Sequence, residues 1–186
     1  MKNFRAFYKW SIFGGLLVVF VFVAGSALVR YGLTTTTAIV IRHAEKVPDG
    51  NDAPLSQEGQ QRALDLAHVV EGANAAAAYC CTTCRRTLET VQPLNVPITR
   101  ISDNEPTALT NDILSNHAGE TVVVAGHSNT VPLILQGLGS RSVVAISENE
   151  YDNLYVVIVH EVRVLRMLGL TFRKVDTLPL KYGAHT

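Results

Sequence analysis

Three places in the chain set histidine or arginine just beyond a run of apolar, largely β-branched residues. Ala38-Ile39-Val40-Ile41 runs into Arg42-His43, Ala76–Cys81 precedes Arg85-Arg86, and Val122–Ala125 leads through Gly126 to His127. If these runs are neighbouring strands of an open α/β sheet, the residues meet beyond the carboxyl ends, where such sheets bind ligands. Two histidines and at least two arginines would then share a pocket with no evident carboxylate for each. Such a pocket calls for an anion. Arginine offers a planar fork of donors that matches phosphate oxygens and stays charged at any relevant pH. A helix N-terminus after Gly126 or near Arg85 would add backbone donors. A neutral histidine on the pocket floor can attack phosphorus and carry the phosphoryl group, while the surrounding charges stabilise the in-line transition state.

The elements that must position these groups can be read from local pattern. Short β-branched runs at 38–41 and 121–125 have the character of strands covered on both faces. Ser56 reads as the N-cap of a helix with apolar positions at Ala63, Leu66, Ala67 and Val70 before Gly72. Further helices are expected at 85–94, 107–117 and 130–138, and further strands at 76–81 and 97–101. Leu154–Val159 and Val162–Leu168 read as two late strands turning at His160-Glu161, with a final strand and tail in 171–186. Strands alternating with helices predict an α/β fold, a three-layer sandwich with a mainly parallel central sheet flanked by helices.

Charge is unevenly placed along the 186 residues. Four of the 16 bases and none of the 16 acids lie in residues 1–30, leaving 12 bases against 16 acids, a net charge of −4, in the remainder. That sign excludes the broad basic surface nucleic-acid binding requires. Trp10–Val29 is a run of 20 uncharged, mostly apolar residues, long enough as a helix to cross a bilayer. Lys2, Arg5 and Lys9 ahead of it would hold residues 1–9 in the cytoplasm. One N-terminal transmembrane helix or uncleaved signal anchor is therefore expected at 10–29, then a spacer at 30–36. The alternative is a signal peptide cleaved near Ala24–Ala27. Both place the remaining domain, 37–186, in the periplasm or outside the cell.

Four segments in order resemble the histidine phosphatase superfamily, the phosphoglycerate mutase-like proteins. Val40-Ile41-Arg42-His43-Ala44-Glu45-Lys46 resembles its Arg-His signature, and Pro54-Leu55-Ser56-Gln57-Glu58-Gly59 with Arg62-Ala63 its Leu-Ser-x-x-Gly segment. Thr82–Thr90 resembles its second arginine motif with Arg86 in the pocket position, and Val124–Thr130 its second histidine motif. The resemblance implies His43 as the phosphorylated nucleophile, with Arg42, Arg86 and His127 forming the phosphate pocket and neither metal nor cofactor required. It implies a phosphatase acting on phosphomonoesters or phosphoramidates. Its substrate would be a phosphorylated small molecule, a cell-envelope phosphosugar or glycolipid, or protein phosphohistidine. The general acid such enzymes use is not singled out: Glu45, Asp52, Asp103 and Glu105 are all candidates. A non-catalytic phosphate-binding domain of the same fold is the alternative.

Other polar residues have plainer readings. Arg85 is expected to be a solvated helix residue, and His68, His117, His160 and His185 surface or structural ones. Cys80, Cys81 and Cys84 read chiefly as buried thiols; a Cys81–Cys84 disulfide bracing the Arg86 loop is the alternative. No further ligands at suitable spacing suggest zinc.

Overall fold

The computed structural model describes residues 15, 17–21, 25, 33–48, 50, 52–141, 145–164 and 170–184. Most of the expected membrane segment 10–29 lies outside them, as does His185. Those described within it, 15, 17–21 and 25, are helical. Among the described residues no helix is long and apolar enough to cross a membrane.

The elements follow in the order β1 (Leu33–Arg42), α1 (Gln57–Val70), β2 (Ala77–Cys81), α2 (Arg85–Val91), β3 (Ile98–Ile101), α3 (Pro106–Asn116), β4 (Thr121–Gly126), α4 (Val131–Gly137), β5 (Asn153–Val164) and β6 (Leu170–Lys181). They form one six-stranded sheet of order β3-β2-β4-β1-β5-β6. β1 pairs parallel to β4, and β2 pairs parallel to both β3 and β4. Side chains alternate across a strand, so each central strand feeds two cores. Ala38, Val40, Val122 and Val124 pack with Leu109, Ile113, Val131 and Leu135 of α3 and α4. Ile39, Ile41, Val123 and Ala125 pack with Leu66, Val70 and Val91 of α1 and α2. This is the expected three-layer α/β arrangement.

Two expectations need correction. The threonines at 34–37 are not spacer: they belong to β1, where β-branched side chains suit the pleat. The expected turn at His160-Glu161 does not occur, because β5 runs straight through both residues. Glu161 is buried, and its carboxylate pairs with Arg173 at 2.9 Å. A polar pair that reads as a turn is in fact a strand position whose inward charge has a partner.

The chain divides into two compact units, residues 1–34 with 161–173, and 35–160 with 174–186. All the candidate site residues lie in the second.

Candidate active site

The register of the central strands assembles the site. Arg42 at the end of β1 stands beside Gly126 at the end of β4, so His43 and His127 leave adjacent parallel strands side by side. The His43 amide donates to the Gly126 carbonyl at 2.8 Å, and the two imidazoles meet edge-on, 5.0 Å between centroids. Gly126 is required for this closeness. A β-carbon there would come within 2.9 Å of Thr130 Oγ1 and 3.1 Å of Val131 Cγ2, and that hydroxyl accepts from the His127 amide.

His43 is buried, and its Nδ1 lies 2.7 Å from the Ala44 carbonyl. A carbonyl can only accept, so Nδ1 carries the proton and Nε2 keeps its lone pair. Burial disfavours the charged ring and lowers its pKa from 6.5 to about 3, despite that hydrogen bond; His127, Arg42 and Arg86 push the same way. The Ala44 amide in turn donates to Thr90 Oγ1, and Thr90 Oγ1 donates to the Arg86 carbonyl, tying the loop after His43 to α2.

Arg86 Nε donates to His127 Nε2 at 2.9 Å. A guanidinium only donates, so this ring nitrogen is the acceptor of the pair. Asp103 Oδ2 stands 2.9 Å from His127 Nδ1, but out of line with the ring N–H, so the contact has ion-pair distance without an aligned hydrogen bond. Asp103 is the one of the four candidate acids placed among the pocket residues. Glu45 is bound to the Arg62 guanidinium, which also donates to the Tyr182 and Ala184 carbonyls. Asp52 accepts the Arg85 amide at the start of α2, and Glu105 is an exposed residue preceding α3. Arg85 pairs with Glu89 four residues on, the solvated role expected of it.

Arg42 is anchored by the segment that precedes β5. Its Nη1 donates to the Ser147, Glu148 and Glu150 carbonyls at 2.7, 2.8 and 3.1 Å. Its Nη2 donates to Glu148 Oε2 at 3.0 Å, and the Tyr151 ring stacks 4.2 Å from its guanidinium carbon. Tyr151 also faces His43, 5.9 Å between ring centroids. Glu148 and Tyr151 belong to this site without any motif to announce them.

Cys81 and Cys84 form a disulfide across the turn that launches α2, while Cys80 is a buried free thiol. The expectation of plain thiols therefore holds for Cys80 alone. Cys81, Cys84 and Asp103 place three ligand atoms within 4.8 Å of one another, but the two sulfurs are already bonded together. Two clefts of about 420 Å³ flank α1, and neither is lined by His43, His127, Arg42 or Arg86. His68, His117 and His160 pair with surface acids.

No family model matches the chain, and no curated protein does. Solved structures do. Mycobacterial hydrolase 2 superposes with a TM-score of 0.60 at 9% identity, covering 82% of this chain and 94% of its own. A mycobacterial glucosyl-3-phosphoglycerate phosphatase gives 0.56 at 10% identity, with 76% and 97% covered. A protein assigned as phosphohistidine phosphatase SixA of Nakamurella multipartitia gives 0.53 at 17%, with 81% and 98% covered. The chain has the fold of the histidine phosphatase superfamily, the phosphoglycerate mutase-like proteins.

Proposed function

We propose that the protein is a phosphatase that transfers a phosphoryl group from a phosphomonoester or phosphoramidate to His43 and then to water. The observation that carries this reading is the state of His43: buried, neutral, with Nδ1–H held by a carbonyl and Nε2 carrying the lone pair. That nitrogen attacks phosphorus, and the bond to the leaving oxygen or nitrogen breaks in line with the one forming. Arg86, His127 and the Nε–Nη2 edge of Arg42 stabilise the charge on the transferring oxygens. Asp103, beside His127, supplies the proton that an alcohol leaving group needs. Water then attacks the phosphohistidine, giving a proton to the Asp103 carboxylate left by the first step, and His43 leaves as the neutral imidazole it began as.

The substrate class is a phosphorylated small molecule, glycolipid or protein phosphohistidine. The apolar N-terminal run behind Lys2, Arg5 and Lys9 supports an anchored protein whose domain faces outside the cytoplasm. A Cys81–Cys84 disulfide suits that oxidising side. Phosphate release by the full chain from aryl and alkyl phosphates and a phosphohistidine peptide tests the reading. Asp103→Asn should slow alkyl phosphates at least about tenfold more than activated aryl ones, as expected when a general acid is lost. Absence of release from every class would favour a phosphate-binding domain without turnover.

A further inference from the structure

The Arg42 guanidinium has two different ends. Nη1 is consumed by three carbonyls of the 147–150 turn, which fixes the group in place. Nε and Nη2 form the side-on edge that grips carboxylates and phosphates with two parallel bonds. Nε on that edge is buried and has no hydrogen-bond partner, a costly condition for a charged donor. Nη2 is held by a carboxylate, Glu148 Oε2. The other oxygen of the same carboxylate, Oε1, accepts from Ser128 Oγ at 2.7 Å. Ser128 follows His127, as Arg42 precedes His43, so one carboxylate bridges the two strand ends that the proposed phosphate pocket also bridges.

We infer that Glu148 is a resident anion at the phosphate pocket, a specificity-determining residue that substrate must displace from Arg42 and Ser128. This rests on the phosphatase reading of the pocket. The side chain is tethered by its two oxygens and is otherwise 81% exposed, so it can swing into solvent without disturbing a core. The turn that carries it stays in place, because its carbonyls and not its carboxylate hold Nη1. The Ser128 hydrogen bond and the Arg42 charge hold its carboxyl below the usual carboxylate range, so it is ionised wherever the enzyme works. A phosphate dianion brings more charge and more acceptor oxygens than this carboxylate and displaces it. A monoanion such as acetate, or a phosphodiester, brings no more charge than the group it would replace. Glu148 thus raises KM and selects for terminal, doubly charged phosphoryl groups.

Inorganic phosphate and acetate, titrated calorimetrically into the full chain at fixed pH and ionic strength, test this. Glu148→Ala removes the competitor. Glu148→Gln keeps its length and one acceptor oxygen while removing the charge. Both should bind phosphate roughly three- to tenfold more tightly, the range expected for losing an exposed ion pair and its repulsion of the incoming dianion. Glu148→Ala should also gain measurable acetate binding, and KM for an aryl phosphate should fall by the same factor as the phosphate Kd, with kcat moving less. Unchanged or weaker phosphate binding in both variants, while Arg86→Ala still abolishes it, would overturn the role of Glu148 and leave the pocket standing. Absence of phosphate binding by every chain would remove the pocket and the inference together.

Discussion

His43 is suited to the nucleophile role proposed for it by where it sits. Burial keeps the ring neutral, and the Ala44 carbonyl selects the tautomer that leaves Nε2 free. With its pKa lowered to about 3, the folded ring refuses a proton that the unfolded chain accepts below 6.5. Above 6.5 both states are neutral and His43 adds no pH slope. Between 6.5 and about 3 its contribution to stability is lost as pH falls. Imidazole NMR should therefore show His43 in the Nδ1–H form from pH 8 down to about 4; a midpoint near 6.5 would contradict the burial argument. The two arginines separate by another measurement. Arg42→Ala and Arg86→Ala should each lower kcat/KM by about 10²–10³, as when one charge-stabilising donor is removed. Arg42→Ala should also lower Tm by several degrees, because three loop carbonyls lose their donor. Equal Tm values for the two variants would show that the 147–150 turn does not depend on Arg42. Sequence pattern singled out His43, His127, Arg42 and Arg86 as candidates because each follows an apolar run. It passed over Glu148 and Tyr151, which reach the pocket from an irregular segment with no periodicity to read.

At the level of elements, the candidate groups are held in register because parallel strands are. Registering Arg42 against Gly126 brings both histidines to the same level of the sheet, and the glycine lets the turn into α4 fold tightly over it. Gly126→Ala should destabilise the domain by about 1–3 kcal/mol through overpacking, measured by urea unfolding. It should also depress turnover by shifting His127. A variant of native stability would mean that Thr130 and Val131 give way freely. α1 shows a second close approach: a side chain at Gly59 would collide with the Glu45 carbonyl, which already accepts the Ser56 amide. The strands β2, β3 and β4 and the helices α1, α2, α3 and α4 were legible from apolar spacing and caps. β5 was not, because local polarity at His160-Glu161 imitates a turn. The distant Arg173 partner shows how a glutamate can point inward there.

For the whole molecule, the sheet order places β1 and β4 at the centre and leaves β3 and β6 as edges. The chemistry therefore stands on the two strands covered by helices on both faces, while residues supplied by loops complete it. The charge asymmetry of the sequence, basic and apolar at the start and acidic beyond, is what the proposed anchor rests on. The full chain should resist alkaline carbonate extraction from membranes, and deletion of residues 1–30 should release it; a full chain found wholly in the soluble fraction would contradict an anchor. What unites these scales is the proposed covalent phosphohistidine. The most direct test is to mix the full chain, and His43→Ala, with a ³²P-labelled aryl phosphate and quench in alkali within milliseconds. The account predicts a protein-bound label in the wild type that survives alkali and is lost in acid. It predicts that both label and turnover are absent from the His43→Ala chain. Phosphate release that persists in His43→Ala, or a label that remains after that substitution, would contradict it.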